Sequence, residues 1–314
     1  MISVEEYRGL KHPNAFLIGA PKCGTTAIAS YLSDHPNVFL PYPKEPSFWS
    51  FDLKRGGTVF KLDSVEDYLR IYEPALESTH SVLLDASTSY LQSSDAVEAI
   101  LKFSPKAKFI VMLRNPVDVA YAFHMEQLFN TFENEASFEK AWDLQPMRSS
   151  GQMIPASCIE PKNLQYRQVA SLGSHLARLK EIVVNDQLHI IFHEDFARDP
   201  RATYVSLISF LGLKDDGRKV FEVKGSAHYN KYPRLAAFYQ NPSGPVRFVV
   251  LGMKKLLRVY AYKNILQWIK GMLINQAPRP KLSILFRSKL AAEFESEILK
   301  IESITGRDLT DWRN

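Results

Sequence analysis

Two glycines, Gly19 and Gly24, bracket the segment that most constrains how this chain can fold. The apolar run 15–18 precedes this segment, and the helix-forming run 27–32 follows it. This order predicts a buried strand, a tight turn and a helix. Such a turn points backbone N–H groups and the positive end of a helix dipole at one place, where an anion binds favourably. We therefore expect a phosphate to be held by Lys22, Cys23, Gly24, Thr25, Thr26 and Ala27.

The lysine of this loop is not where a Walker A motif has it. Walker A is G-x-x-x-x-G-K-[ST], with the lysine directly after the second glycine. Here Thr25 holds that position, and Lys22 lies before Gly24. A P-loop kinase remains an alternative, because the run Val82–Asp85 resembles a Walker B strand. An ordinary turn with a surface lysine is a second alternative.

The loop also resembles the 5′-phosphosulfate loop of sulfotransferases that use 3′-phosphoadenosine 5′-phosphosulfate (PAPS), in the branch of heparan-sulfate-type and many bacterial enzymes. Other segments agree with that family in order along nearly the whole chain: K-E-P-S-F-W at 44–49, D-A-S-T-S-Y-L at 85–91, F-I-V-M-L-R-N-P-V-D at 109–118, F-H-E-D-F-A-R-D-P at 192–200, I-S-F-L-G-L at 208–213 and G-R-D-L-T-D-W at 306–312. Each segment alone is a weak signal, but the combination is specific. The resemblance implies transfer of a sulfuryl group from PAPS, which leaves as PAP, to a hydroxyl or amine of a small molecule or saccharide.

The resemblance also implies catalytic roles. In similar sulfotransferases the glutamate at the place of Glu45 takes the acceptor proton, so we expect Glu45 to be the general base. Lys22 is expected to neutralise the charge that develops on the leaving phosphate oxygen. His124, on a predicted helix, is the alternative base. A surface Glu45 paired with Lys44 is the alternative without catalysis.

Arg114 lies where the family binds the 3′-phosphate of the donor, and a guanidinium suits a phosphate. The usual run there is R-N-P-x-x-R-A-Y-S, but this chain has R-N-P-V-D-V-A-Y-A. Val119 therefore replaces the second arginine, and Ala122 replaces the serine. Further candidates for this phosphate are Lys224, Gly225 and Arg234. The weakened motif keeps a third alternative open, a nucleotide-binding or membrane-surface module without catalysis.

The acceptor cannot be named from these residues. Side chains expected to line its pocket are Phe48, Trp49, Ser87, Tyr90 and Phe123. The polar segment 144–163 is interpreted as a surface loop, either a cover for the site or a connector. The absence of a long basic strip slightly favours a small molecule over a polyanionic polysaccharide. No HExxH or similar metal-binding pattern occurs in the sequence, so no metal is expected.

The bulk composition agrees with an α/β enzyme. A length of 314 residues suits a single domain over 1–314, and a net charge of +5 suits a donor rich in phosphate. Without a basic block, no nucleic-acid partner is expected. Cys23 and Cys158 form no disulfide framework or zinc pattern, although a reactive Cys23 thiol is an alternative to a backbone role. The run Met1–Tyr7 resembles neither a signal peptide nor a membrane span, which favours a cytoplasmic enzyme without integral membrane association.

Short apolar runs alternate with helical patterns along the chain. The predicted strands are 16–19, 82–85, 108–114 and 188–193, and the predicted helices include 64–72, 96–103, 116–130 and 165–184. This alternation predicts a doubly wound parallel sheet with helices on both faces and helical C-terminal additions. Lys22, Ser87 and Arg114 would then lie beyond the carboxyl ends of the strands. The segment 246–275 is predicted to be a basic amphipathic helical subregion packed on the core, with a membrane-surface helix as the alternative.

Overall fold

The structure of the chain is a computed structural model. It describes residues 7, 9–54, 62–222, 228–230, 274–276 and 281–313, with the backbone alone for 228–230 and 274–276. The predictions for Lys224, Gly225 and Arg234 lie outside the described residues. So does the predicted subregion 246–275, except for its last two residues.

A five-stranded parallel sheet forms the centre of the described fold. Its strands are β1 (Ala15–Gly19), β2 (Val38–Phe39), β3 (Val82–Asp85), β4 (Lys108–Leu113) and β5 (Leu188–Phe192). They are arranged in the order β2-β3-β1-β4-β5, and each neighbouring pair is parallel. All residues of β1 and β3 are buried, as expected for strands covered on both faces. The predicted α/β fold with a parallel sheet is confirmed.

Helices alternate with these strands along the sequence, as predicted. The described α-helices are α1 (Thr25–Ser33), α2 (Val65–Arg70), α3 (Ala96–Phe103), α4 (Pro116–Phe129), α5 (Phe138–Asp143), α6 (Gln145–Ser149), α7 (Tyr166–Val169), α8 (Leu172–Ile182), α9 (His193–Arg198), α10 (Pro200–Leu211), α11 (Ile284–Glu293) and α12 (Glu295–Thr305). Helix α2 begins at the predicted cap, where Ser64 accepts a hydrogen bond from the Asp67 amide. Two further strands, β6 (His228–Asn230) and β7 (Ile274–Gln276), pair in an antiparallel way. Thus the last residues of the predicted 246–275 helical subregion are strand, not helix.

The structure corrects two other predicted elements. The predicted helix 165–184 is divided between α7 and α8, because Ser171 has a non-helical backbone at the start of α8. The predicted loop 144–163 contains helix α6. Its polar composition was misleading, since Arg148 on α6 is buried and forms a hydrogen-bonded ion pair with Glu133.

Strands β1 and β4 lie side by side at the centre of the sheet, and their outgoing connections lead to opposite edges. The chain passes from β1 to the β2 edge, but from β4 to the β5 edge. In open α/β sheets such a reversal leaves a crevice beyond the carboxyl ends of the two strands, where ligands bind. The segments that follow β1 and β4 contain Lys22 and Arg114, respectively.

Contacts between Cα atoms divide the chain into two compact units. The first contains Met1–Val119, Gln168–Gly225 and Arg287–Asn314, and the second contains Ala120–Arg167 and Ser226–Phe286. The single domain over 1–314 stays a prediction. Among the helices of the described residues, none is both long enough and apolar enough to cross a lipid bilayer.

Candidate functional site

The loop between β1 and α1 has the backbone of an anion-binding turn. Gly24 precedes the helix with φ of 98°, and Lys22 also has a left-handed backbone, with φ of 63°. Within the described residues, no side chain caps the start of α1 and its first turn carries no acidic residue. The leading amides of a helix have no acceptor inside it. The amides of Thr25 and Thr26 are therefore suited to a phosphate, and the exposed Thr26 side chain adds a hydroxyl.

The backbone angle favours glycine at both ends of the loop, and at Gly19 the available space also requires it. A Cβ atom on Gly19 would lie 2.9 Å from Leu91 Cβ and 3.1 Å from the Thr88 carbonyl oxygen. One on Gly24 would lie 3.2 Å from Met112 Cε. The loop backbone therefore runs tightly against its neighbours, which keeps the amides in a fixed arrangement.

The Cys23 side chain of this loop points away from solvent. It is fully buried, and burial raises the pKa of the thiol to about 12 despite the nearby Arg114 guanidinium. The thiol therefore stays protonated at neutral pH, which argues against the alternative of a reactive Cys23.

Arg114 braces the loop from the end of β4. Its Nη1 donates to the Lys22 carbonyl oxygen at 3.2 Å, and its Nη2 lies 3.5 Å from Asp118 Oδ2. Arg287 on α11 donates to the other oxygen of Asp118 at 2.8 Å. Two guanidinium groups thus contact one carboxylate beside the loop. Val119, which replaces the second arginine of the family motif, is buried. Sequence reasoning missed this cluster. The spacing of Arg114 and Asp118 could have indicated the first contact, but no local signal indicates Arg287.

Glu45 lies in a loop fixed by contacts on both of its carboxylate oxygens. Oε2 accepts a hydrogen bond from Thr88 Oγ1 at 2.9 Å, and Oε1 pairs with Lys44 Nζ at 3.1 Å. The Glu45 side chain is 39% exposed, so a substrate can reach it. Because the Thr88 carbonyl lies against Gly19, the same short segment contacts both Glu45 and the start of the loop between β1 and α1. Thr88 was not predicted.

Four residues expected to line the acceptor pocket are buried in the first unit. Ser87 and Tyr90 are fully buried and donate hydrogen bonds to Asp85. Phe48 stacks on Tyr68 with ring centroids 4.7 Å apart, and Trp49 meets the same ring edge-on. Their role toward an acceptor stays a prediction, because in this structure their contacts are with the protein interior.

His124 and Phe123 belong to the second unit and are also buried. Nε2 of His124 lies 2.9 Å from the Glu135 carbonyl oxygen, and burial lowers the pKa of the imidazole. Close by, the buried Glu133 accepts hydrogen bonds from Arg148 and from Tyr166. The structure thus brings Lys22 and Arg114 together and gives Glu45 a fixed place, whereas the role of His124 as a base stays a prediction.

Comparison with known proteins agrees with this geometry. The model of the sulfotransferase family matches residues 13–217. A mouse bifunctional heparan sulfate N-deacetylase/N-sulfotransferase 4 is 26% identical over 203 residues, which cover 64% of this chain and 22% of the relative. Mouse carbohydrate sulfotransferase 15 is 32% identical over 247 residues, which cover 64% of this chain and 44% of the relative. The chain therefore spans less than half the length of either curated relative.

The fold itself has a solved counterpart. A sulfotransferase from Alicyclobacillus acidocaldarius superposes with a TM-score of 0.70 at 23% identity, covering 97% of this chain and 100% of that one. The matched family region contains the loop between β1 and α1, Glu45, Arg114 and all five strands of the parallel sheet. This chain belongs to the sulfotransferase family.

Proposed function

We propose that the protein is a PAPS-dependent sulfotransferase that sulfates a hydroxyl or amine of a saccharide or small molecule. The observation that carries this proposal is the turn after β1. In this turn Gly24 is the N-cap of α1, and Arg114 donates a hydrogen bond to the Lys22 carbonyl oxygen. The family match adds that this turn lies in the region shared with known sulfotransferases. A bound PAPS would supply the sulfuryl group and leave as PAP.

The residues of the turn have the chemistry that such a donor needs. The amides of Cys23, Gly24, Thr25 and Thr26 hold a 5′-phosphate, and the Lys22 ammonium neutralises the oxygen from which the sulfuryl group departs. Gly19 and Gly24 fit this role, because a Cβ would press against Leu91 and the Thr88 carbonyl oxygen at Gly19 and against Met112 at Gly24. Arg114 serves the second phosphate of the donor, together with Lys224 and Gly225 from outside the described residues.

Glu45 removes the proton from the acceptor oxygen or nitrogen as the new bond to sulfur forms. The contacts with Thr88 and Lys44 hold its two oxygens in place and leave part of the side chain accessible. A fixed carboxylate needs little reorganisation when the acceptor arrives. One curated relative is named for heparan sulfate and another for carbohydrate, and this favours a saccharide acceptor over a small molecule.

The kinase alternative receives less support from the geometry. Asp85, the residue at the Walker B position, is fully buried and accepts hydrogen bonds from three hydroxyl groups, those of Ser87, Tyr68 and Tyr90. A Walker B carboxylate must reach a magnesium ion beside the phosphates. The lysine displaced from its Walker A position argues in the same direction.

Thermal shift and transfer assays together test the proposal. We expect PAP to raise the melting temperature progressively as its concentration exceeds its Kd, and ATP with Mg²⁺ to leave it unchanged. With ³⁵S-labelled PAPS and a panel of amino sugars, oligosaccharides and phenols, Lys22→Ala should lower the transfer rate by about 10²-fold or more. The exposed Lys102→Ala is the matched control and should transfer normally. Stabilisation by ATP with Mg²⁺ alone, or full transfer by Lys22→Ala, would contradict the proposal.

A further inference from the structure

Asp85, at the carboxyl end of β3, is a buried charge for which the proposed reaction gives no role. Its Oδ2 accepts hydrogen bonds from Tyr68 at 2.7 Å and from Tyr90 at 2.9 Å. Its Oδ1 accepts the Ser87 hydroxyl at 2.6 Å. Burial and the Asp85 charge raise the pKa of both tyrosines, so their hydroxyls keep their protons and act as donors. A carboxylate in this position therefore orients all three hydroxyl groups.

The orientation of Ser87 determines what its oxygen can do. A hydroxyl can donate only one hydrogen bond, and Ser87 donates its hydrogen bond to Asp85. The Ser87 oxygen is then left as an acceptor, and it accepts the backbone N–H of Ser47 at 2.9 Å. A directed chain thus runs from the Ser47 amide through Ser87 to Asp85, entirely within the first unit.

Ser47 lies two residues after Glu45, in a stretch of strained backbone. Glu45 has φ of 64° and Ser47 has φ of 51°, a left-handed conformation that residues other than glycine seldom adopt. Such a conformation persists only when surrounding contacts hold it. Residues near Asp85 make two more contacts with this loop: Ser89 Oγ donates to Ser47 Oγ at 3.2 Å, and the Trp49 amide donates to the Tyr90 hydroxyl at 3.4 Å. Within the loop, Ser50 Oγ donates to the Ser47 carbonyl oxygen at 3.0 Å.

From these contacts we propose that Asp85 is a positioning residue, which through Ser87 holds the loop 44–50 and so fixes the carboxylate of Glu45. This proposal rests on the proposed function, in which Glu45 is the general base. The proposal assigns one shared role to two residues, the buried carboxylate of Asp85 and the serine Ser87, which the sequence had placed in the acceptor pocket. Neither residue touches the reacting atoms; both act through the backbone at Ser47.

Two substitutions break the chain at different links. Ser87→Ala removes the acceptor of the Ser47 amide. Asp85→Asn replaces one acceptor oxygen by an NH₂ group, so the amide cannot accept from Ser87 and from both tyrosines as the carboxylate does. We expect both variants to speed hydrogen exchange at the Ser47 amide by about tenfold, the effect of one lost hydrogen bond.

Transfer of ³⁵S from PAPS to glucosamine oligosaccharides should fall by about tenfold or more in both variants, since the rate falls steeply when the base is displaced by an ångström. Affinity for PAP, measured by calorimetry, should stay within about twofold of wild type because the phosphate loop is not changed.

Matched controls separate positioning from general stability. Tyr68→Phe removes one hydroxyl from Asp85 but leaves the link from Ser87 to Ser47. Ser174→Ala removes a serine that donates to another carboxylate, Glu297, at 2.7 Å. Both controls should keep wild-type exchange at Ser47. Unchanged exchange at Ser47 in Ser87→Ala and Asp85→Asn would overturn the positioning role, whatever their stability.

A further variant distinguishes this proposal from the proposed function. Glu45→Gln should abolish transfer without altering exchange at Ser47, because it does not touch the link to Ser87. If Glu45→Gln transfers at the full rate, Glu45 is not the base, and Asp85 has no catalytic residue to position. Faster exchange at Ser47 in Ser87→Ala and Asp85→Asn would then still demonstrate the hydrogen-bond chain. If Glu45→Gln is inactive but Ser87→Ala exchanges and transfers like wild type, only the positioning role is wrong.

Discussion

At the scale of single residues, Gly24 shows how one backbone angle prepares a binding site. Its φ of 98° allows the chain to turn from β1 into α1, and any Cβ would press against Met112. We expect Gly24→Ala to cost about 1–2 kcal/mol from the left-handed backbone alone. It should also weaken PAP binding by about tenfold, because displaced amides lose charge-assisted hydrogen bonds. Urea unfolding and calorimetry with PAP measure the two effects.

Gly217 provides the matched control for this substitution. It also has a left-handed backbone, with φ of 75°, but no atom lies within 4 Å of a Cβ placed there. Gly217→Ala should therefore show a similar loss of stability and unchanged affinity for PAP. Equal loss of affinity in both variants would mean that the effect comes from stability and not from the shape of the loop.

Sequence patterns predicted the residues of this loop but not their supports. Lys22 and Gly24 belong to one short motif, and Arg114 ends an apolar strand, so each has a local signal. Arg287 comes from a helix near the other end of the chain, and only the fold brings it to Asp118. Val119 suggested a weakened anion grip, and no pattern indicated a second guanidinium near it.

At the scale of elements, the crossing of α8 and α12 depends on a single glycine. A Cβ on Gly173 would lie 2.2 Å from the Glu297 carbonyl oxygen and 2.9 Å from Lys300 Cβ. Alanine favours a helix over glycine by about 1 kcal/mol, but a contact this short with backbone forces the two helices apart. We expect Gly173→Ala to lower the free energy of unfolding by about 1–3 kcal/mol or more.

Urea unfolding measures this effect, with Glu181→Ala as the control because Glu181 is an exposed residue of the same helix. A Gly173→Ala protein as stable as wild type would show that the helices do not cross as closely as described. The need for glycine at position 173 comes from the packing of α8 against α12, because the clashing atoms belong to Glu297 and Lys300 of the other helix.

Elements were predicted well where local signals were complete. Strand β3 and helix α3 have the predicted bounds, 82–85 and 96–103, because a short apolar run and a periodic one are each bounded by polar residues. The division between α7 and α8 was missed because the apolar spacing continues across Ala170, which is itself buried. Helix α6 was missed because its arginine is buried by a tertiary ion pair that composition does not reveal.

At the scale of the whole molecule, two buried groups give the stability opposite dependences on pH. Burial raises the pKa of Asp85 from 3.8 to about 6. Burial and the nearby Arg178 lower the pKa of His175 from 6.5 to about 4. Between these values the folded state holds more protons at Asp85 than the unfolded state does, and fewer at His175. The contribution of Asp85 to stability is therefore full below about pH 4 and lost as pH rises through 6, whereas that of His175 is full above 6.5 and lost as pH falls through 4.

Each shift of roughly two pKa units corresponds to about 3 kcal/mol, so the opposite pH dependences of the two contributions nearly cancel between pH 4 and 6 in the wild type. Single variants should separate them in urea unfolding measured from pH 4.5 to 7.5. The stability difference between wild type and Asp85→Asn should fall as pH rises through this range, and the difference between wild type and His175→Gln should rise. Taking differences removes the titration of every group that the variants share. Two slopes of the same sign would show that one of these groups is not buried in the charge state described, and a flat difference for Asp85→Asn would mean that its carboxylate is not the desolvated acceptor on which the loop of Glu45 depends.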